Sequence, residues 1–240
     1  MGSGVVISRE SQEVLMVELS RPPDNSFTKE MCQELSSVLA APPDGARVLR
    51  LRGQPGVFCR GRDRSRDGLE GARATVAALT SVNRGLAESR LVTVAEVDGE
   101  AAGFGVGLAA LCDVTVASDR SRFWFPEVTH GLAPALVLSW LPQVVGRRQA
   151  FWLTATGAPL DASAARALGL VNRVCSPERL QEVASEMVGS LLRHPAAVQA
   201  EIKRDLRDFQ DPSGAVAKMA ADRLLLGALS QPPGEGQSDS

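Results

Sequence analysis

Read for hydrophobic and polar positions, the chain opens with VVISRESQEVLMVELSRP, two apolar runs around a polar turn, as in a β-hairpin. SFTKEMCQELSSVLAA then carries helical spacing, with Met31, Leu35 and Leu39 on one face and Ser26 predicted as N-cap. Short apolar runs at RVLRLRG and LVTVAEVDG flank a helical stretch, ARATVAALTSVNRGLAE, and a further run, DVTVASD, follows a glycine-rich segment. Strands alternating with helices predict parallel pairing through right-handed crossovers. After about Ala135 the pattern turns to helices only: ALVLSWLPQVVG, RRQAFWLTAT, DASAARALG, PERLQEVASEMVGSLLRH, AAVQAEIKRDLRDF and SGAVAKMAADRLLLGAL. The fold class that follows is α/β with a helical C-terminal region, and its chemistry is expected in loops leaving strand ends.

Composition changes this picture little. At 240 residues, 44% hydrophobic and 22% charged, the sequence has the balance of a soluble globular protein. A net charge of -2 gives no push toward nucleic acid, and no apolar stretch reaches membrane-spanning length. No secretory signal is visible at the start, so the expected location is cytoplasmic. The four cysteines, Cys32, Cys59, Cys112 and Cys175, form no metal-ligand spacing and are expected as buried thiols; no metal site is predicted.

Three segments carry candidate chemistry: GVFCRGRD, the glycine-rich DGEAAGFGVGLAALCD, and RFWFPEVTHGLAPA. The glycines do not make a dinucleotide fingerprint, because Leu108 stands where the third glycine of G-x-G-x-x-G belongs. A turn entering a helix instead exposes backbone N–H groups suited to developing negative charge. Phe104 is either a wall of the pocket or a residue facing the core.

FCRGRD, VDGEAAGFGVGLAALCDVTVAS, FPEVTHGLAPA and LDASAARALGLVNRV resemble, in order and spacing, the signature blocks of the enoyl-CoA hydratase/isomerase family, the crotonases, over roughly residues 5 to 210. The resemblance implies a crotonase-like ββα superfold and a homotrimer or hexamer. It also implies a thioester whose enolate is held by two backbone N–H groups, which match Arg62 and Phe104. Glu127 matches the second of two family glutamates and is the implied acid/base. Gly107 stands where the first would be. The flanking Phe125 and Val128 are expected to raise the Glu127 carboxyl toward working pH. Substrate contacts are expected from Arg60, Gly61, Gly103, Gly107, Trp124, His130 and Pro134.

GLAPALVLSWLPQVVGRRQAFWLTATGAPLDA is most similar to the branch handling 3-methylglutaconyl and 3-hydroxy-3-methylglutaryl thioesters, including polyketide β-branching dehydratases. The resemblance therefore implies a hydratase or dehydratase acting on an acyl group carried by CoA or an acyl carrier protein. A single Glu leaves open a Δ3,Δ2-enoyl-CoA isomerase, and the missing Glu leaves open an inactive scaffold or carrier-docking member. CoA or phosphopantetheine enters as part of the substrate, with no separate cofactor. Arg60, Arg62, Arg64 and Arg66 form either a solvated loop or a site for CoA phosphates or an acidic carrier protein. Lys203 and Arg204 lie on a helix that in relatives approaches a neighbour's CoA site; His194 is expected as a helix-terminus residue. The expected division is a core over 1–190, a C-terminal helical trimerisation region over 191–229 and a disordered tail over 230–240.

Overall fold

The opening hairpin is realised as β1 (Val5–Arg9) antiparallel to β2 (Val14–Leu19), in a computed structural model that describes residues 4–63 and 68–208. Then come α1 (Lys29–Ala40), β3 (Val48–Arg52), β4 (Val57–Cys59), α2 (Gly68–Glu88), β5 (Val92–Val97), β6 (Glu100–Ala102), α3 (Phe104–Ala110), β7 (Val114–Ser118) and β8 (Arg122–Trp124). A 3-10 turn at Pro126–His130 leads to α4 (Ala135–Leu138), α5 (Leu141–Val145), α6 (Arg147–Thr156), β9 (Leu160–Asp161), α7 (Ala162–Ala167) and β10 (Arg173–Cys175). A second 3-10 turn, Pro177–Arg179, enters α8 (Leu180–Leu192), and α9 (Ala196–Asp208) follows.

Two sheets result. The larger runs β1-β2-β3-β5-β7-β10 and is parallel from β2 onward; the smaller runs β4-β6-β8-β9 with an antiparallel β8–β9 edge. Strands covered on both faces lose the apolar/polar alternation, which is why VTVAEV of β5 is buried throughout. On one face Leu49, Leu51, Ala95 and Val97 join Phe58, Ala101 and Phe123 of the smaller sheet in the main core; on the other, Val48, Val92 and Val94 pack with Val188 of α8.

Several details correct the expectations. The N-cap of α1 is Thr28, whose side chain accepts from the Met31 amide at 3.2 Å; Ser26 is instead held by Asp24, which accepts from its amide at 3.0 Å. The region after Ala135 is not helical only, because β9 and β10 return to the sheets. Both are too short, at two and three residues, to display a period of two. ALVLSWLPQVVG is two short helices broken at Ser139–Trp140.

The chain divides into units 1–200 and 201–240. Lys203 and Arg204 belong to the second unit, and the 230–240 tail lies outside the described residues. Among the described residues no helix is long and apolar enough to cross a membrane. Cys32, Cys59 and Cys112 are buried and Cys175 is half-buried; burial pushes the Cys59 and Cys32 thiols up to about 12.

Candidate functional site

The segment between β2 and α1 prepares one wall of a cavity. Asn25 is fully buried at φ 52°; its Nδ2 donates to the Val57 and Phe58 carbonyls at 3.1 Å, and its Oδ1 accepts from the Arg21 amide at 2.8 Å. This clamp presses the chain before α1 onto β4. Phe27 then makes a parallel bridge with Arg62: the Phe27 amide donates to the Gly61 carbonyl at 2.8 Å, and its carbonyl accepts from the Asp63 amide at 2.9 Å. In such a bridge the flanking peptides face the partner, so the Arg62 N–H points the other way.

The second wall begins at the end of β5. Asp98 is fixed by Ser118 Oγ at 2.8 Å, the Gly56 amide at 3.3 Å and Arg120 Nε at 2.7 Å. Burial works against its ionisation, yet these hydrogen bonds together hold its carboxyl below the ordinary range. Beyond the short β6, the Gly103 amide donates to the Trp124 carbonyl at 2.9 Å and Gly103 turns at φ 50°, starting α3. The first amides of a helix have no partner within it, and Phe104 supplies the first. Gly105 packs so close that a Cβ there would lie 2.1 Å from the Cys59 carbonyl oxygen. These glycines therefore set a turn and a close approach of α3 to β4.

Between the walls lies a cavity of about 890 Å³. Of the residues named as site candidates, Arg60, Gly61, Arg62, Gly103, Phe104, Gly107, Glu127 and Pro134 line it. Trp124 and His130 are not among its lining residues: Trp124 is half-buried at the end of β8, and His130 is exposed at the end of its 3-10 turn. Phe104 is both wall and core, 6% exposed with its ring 5.5 Å from that of Phe27. The Glu127 carboxyl sits against Gly103, where a Cβ would come within 2.8 Å of Oε1. Among the described lining residues Glu127 is the one acid.

Gly107 faces the indole of Trp140, whose Cζ2 would lie 3.5 Å from a Cβ at that position. Trp140 is 7% exposed and stacks at a tilt on Phe125, 6.4 Å between centroids. The space beside Gly107 is thus shaped by an aromatic ring. Sequence reading missed Trp140, Asn25 and the α2 wall of Thr75, Val76, Leu79 and Asn83. The spacing of that wall was available as a signal, since 76, 79 and 83 share one helical face.

At the mouth, Arg60 Nε pairs with Glu100 Oε2 at 3.2 Å and the Arg62 side chain is exposed. Arg64 and Arg66 lie outside the described residues. Among those described, no group of acidic, histidine or cysteine side chains has the arrangement of a metal site.

Comparison with known proteins gives concordant matches. The family model described as enoyl-CoA hydratase/isomerase matches residues 9–232. The 2,3-dehydroadipyl-CoA hydratase of Escherichia coli (strain K12) is 32% identical over 95% of this chain and 90% of that protein. A probable enoyl-CoA hydratase of Rhizobium meliloti (strain 1021) is 33% identical over 88% and 78%. Among solved structures, a putative enoyl-CoA hydratase from Thermobifida fusca YX in complex with acetoacetyl-CoA superposes with TM-score 0.82 at 27% identity, covering 95% of this chain and 96% of that one.

Proposed function

Because the chain belongs to the enoyl-CoA hydratase/isomerase family, we propose that this cavity adds water across the C2–C3 double bond of an acyl thioester, or removes it in the reverse direction, with Glu127 as its one acid/base. At the coarser level it is an enzyme of that family acting on acyl-CoA thioesters, of the lyase type that its relatives' names describe. One juxtaposition carries the finer reading: the Glu127 carboxyl lies against Gly103, the residue before the Phe104 amide, on one wall of the cavity that also takes in Arg62.

In this mechanism the thioester oxygen lies between the Arg62 and Phe104 N–H groups, which stabilise the oxyanion that grows as water adds. Glu127 takes one proton from the water as its oxygen bonds to C3. The same carboxyl then returns that proton to C2 of the enolate, so both parts of the product come from one water. Dehydration runs these steps backward, the C2 proton passing through Glu127 to the departing C3 hydroxyl. CoA, or the phosphopantetheine of a carrier protein, enters only with the substrate. Arg60 and Arg62 supply cationic side chains at the mouth for its phosphates.

Crotonyl-CoA and a 3-methylglutaconyl thioester, incubated in isotopically labelled water, are expected to gain the mass of one labelled water. Glu127→Gln is expected to lower kcat roughly 10²- to 10⁴-fold. The single carboxylate also suits proton transfer between carbons. Double-bond migration in a 3-enoyl-CoA without water uptake would replace the hydratase reading with the isomerase, and full activity of Glu127→Gln would overturn both. Association into a trimer or hexamer is supported by the exposure of Phe151 and Trp152 on α6, at 72% and 59%. Light scattering checks it, and a monomer at micromolar concentration would refute it.

A further inference from the structure

Gly103 and Gly107 lie one turn apart at the start of α3, the Gly107 amide donating to the Gly103 carbonyl at 3.3 Å. Each meets one polar side-chain group. Glu127 Oε1 would lie 2.8 Å from a Cβ at Gly103, and Trp140 Nε1 would lie 3.8 Å from a Cβ at Gly107. All four residues line the cavity. Four residues of helix rise about 6 Å, roughly the span of two hydrogen bonds to one shared oxygen. Among the described residues the other side-chain donors of the lining stand elsewhere, Arg60 and Arg62 at the mouth and Thr75 and Asn83 on α2. Trp140 Nε1 meets no acceptor among the described residues, yet it is not shut off from accessible space as Asn83 Oδ1 is. Because Gly107 has no side chain, nothing from that position covers this edge of the indole.

Resting on the hydratase reading above, we propose that Trp140 is a second catalytic group, whose indole N–H donates a hydrogen bond to the oxygen that joins or leaves C3. With the thioester oxygen at the Phe104 amide, C3 lies two bonds beyond the carbonyl carbon, and its oxygen falls between Glu127 and the indole. An indole N–H donates only, so Trp140 keeps its proton throughout and leaves the acid/base work to Glu127. In hydration the N–H holds the water by one lone pair while the other forms the C3–O bond and Glu127 takes the water proton. In dehydration the C3–O electron pair passes to the oxygen, Glu127 protonates it, and the N–H stabilises the charge that gathers there.

The test is Trp140→Phe in the full chain, which keeps a ring against Gly107 and Phe125 and removes the N–H. Benzothienylalanine at position 140, with sulfur in place of N–H and the outline of the indole, answers the case in which Trp140→Phe fails to fold. Either variant, shown to be folded by circular dichroism, is expected to lower kcat/KM for crotonyl-CoA hydration about 10- to 100-fold. Dehydration of 3-hydroxybutyryl-CoA should fall by the same factor, because the overall equilibrium is fixed. Calorimetry in a Glu127→Gln background, which keeps the hydroxy thioester unreacted, separates contact from turnover. Loss of the N–H should weaken the better-bound enantiomer of 3-hydroxybutyryl-CoA about five- to tenfold and leave butyryl-CoA, which has no C3 oxygen, within about twofold. Unchanged hydration in a folded variant, or equal weakening of both ligands, would overturn the proposal, the second showing that Trp140 only packs the site. A loss confined to the hydroxy ligand, in a protein that hydrates no thioester, would overturn the hydratase reading and leave the contact of Trp140 with a C3 oxygen standing.

Discussion

Gly103 has two separate reasons to be glycine: its φ of 50° is strained for a side chain, and a Cβ would press on Glu127 Oε1 at 2.8 Å. Gly131, at φ 70° with nothing within 4 Å of a built Cβ, shares only the first. Gly103→Ala is therefore expected to lower kcat/KM about 100-fold, the scale of a displaced catalytic group. Gly131→Ala should reduce melting temperature with a much smaller kinetic effect, and equal kinetic losses in the two variants would rule out the steric argument. Glu127 and the glycine turn were legible in the sequence because each lies in a block that resembles a family signature. Asn25 and Asn83 were not. The bonds of Asn25 reach carbonyls 32 and 33 residues away, and whether Asn83 lines the cavity depends on which face of α2 meets it. For Asn25→Ala, which strands buried carbonyls and an amide, a loss of about 2–4 kcal/mol in denaturant unfolding is expected.

At the scale of elements, the ends of β5 and β7 fix where the Gly103 turn begins, through Asp98, Ser118 and Arg120. Burial opposes the Asp98 charge, but the hydrogen bonds from Arg120, Ser118 and the Gly56 amide outweigh it, so its carboxyl titrates below the ordinary 3.8. A lowered folded value means the unfolded chain binds more protons in that range. The stability Asp98 contributes is thus present above the unfolded value and lost as pH falls through the folded one. Asp98→Asn should be less stable than wild type near neutral pH, with the difference narrowing below about pH 4; a gap that widens with acid would refute the assignment. The hairpin, α1, α2, β3, β5 and β7 were readable because each runs as a periodic or continuous apolar stretch of five or more residues. β9 and β10 form because neighbouring strands receive them, which no local pattern records.

Across the whole molecule, the face of the large sheet opposite the cavity carries a buried ion cluster unconnected to the proposed chemistry. Arg50 of β3, 3% exposed, donates through Nε to Glu96 of β5 and through Nη1 to both Glu10 oxygens at 2.7 and 2.8 Å and to Ser185 Oγ of α8 at 3.2 Å. One guanidinium thus joins two central strands, the hairpin turn and the covering helix. In the sequence Arg50 reads as a polar interruption of RVLRLRG, because its partners lie 40, 46 and 135 residues away. Arg50→Met leaves Glu96, 1% exposed, in an apolar layer without its guanidinium, and should cost about 3–5 kcal/mol in urea unfolding. Adding Glu96→Leu removes the stranded charge and should restore much of that loss, because well-packed apolar replacements of buried ion pairs are often neutral or stabilising. Glu127 projects into the cavity on the other side of the main core, so hydration kinetics of the double variant should match wild type wherever both are folded. Additive losses in the two single variants would show that the pair is not coupled. A fall in kcat in the stably folded double variant would show instead that the sheet transmits strain to the site.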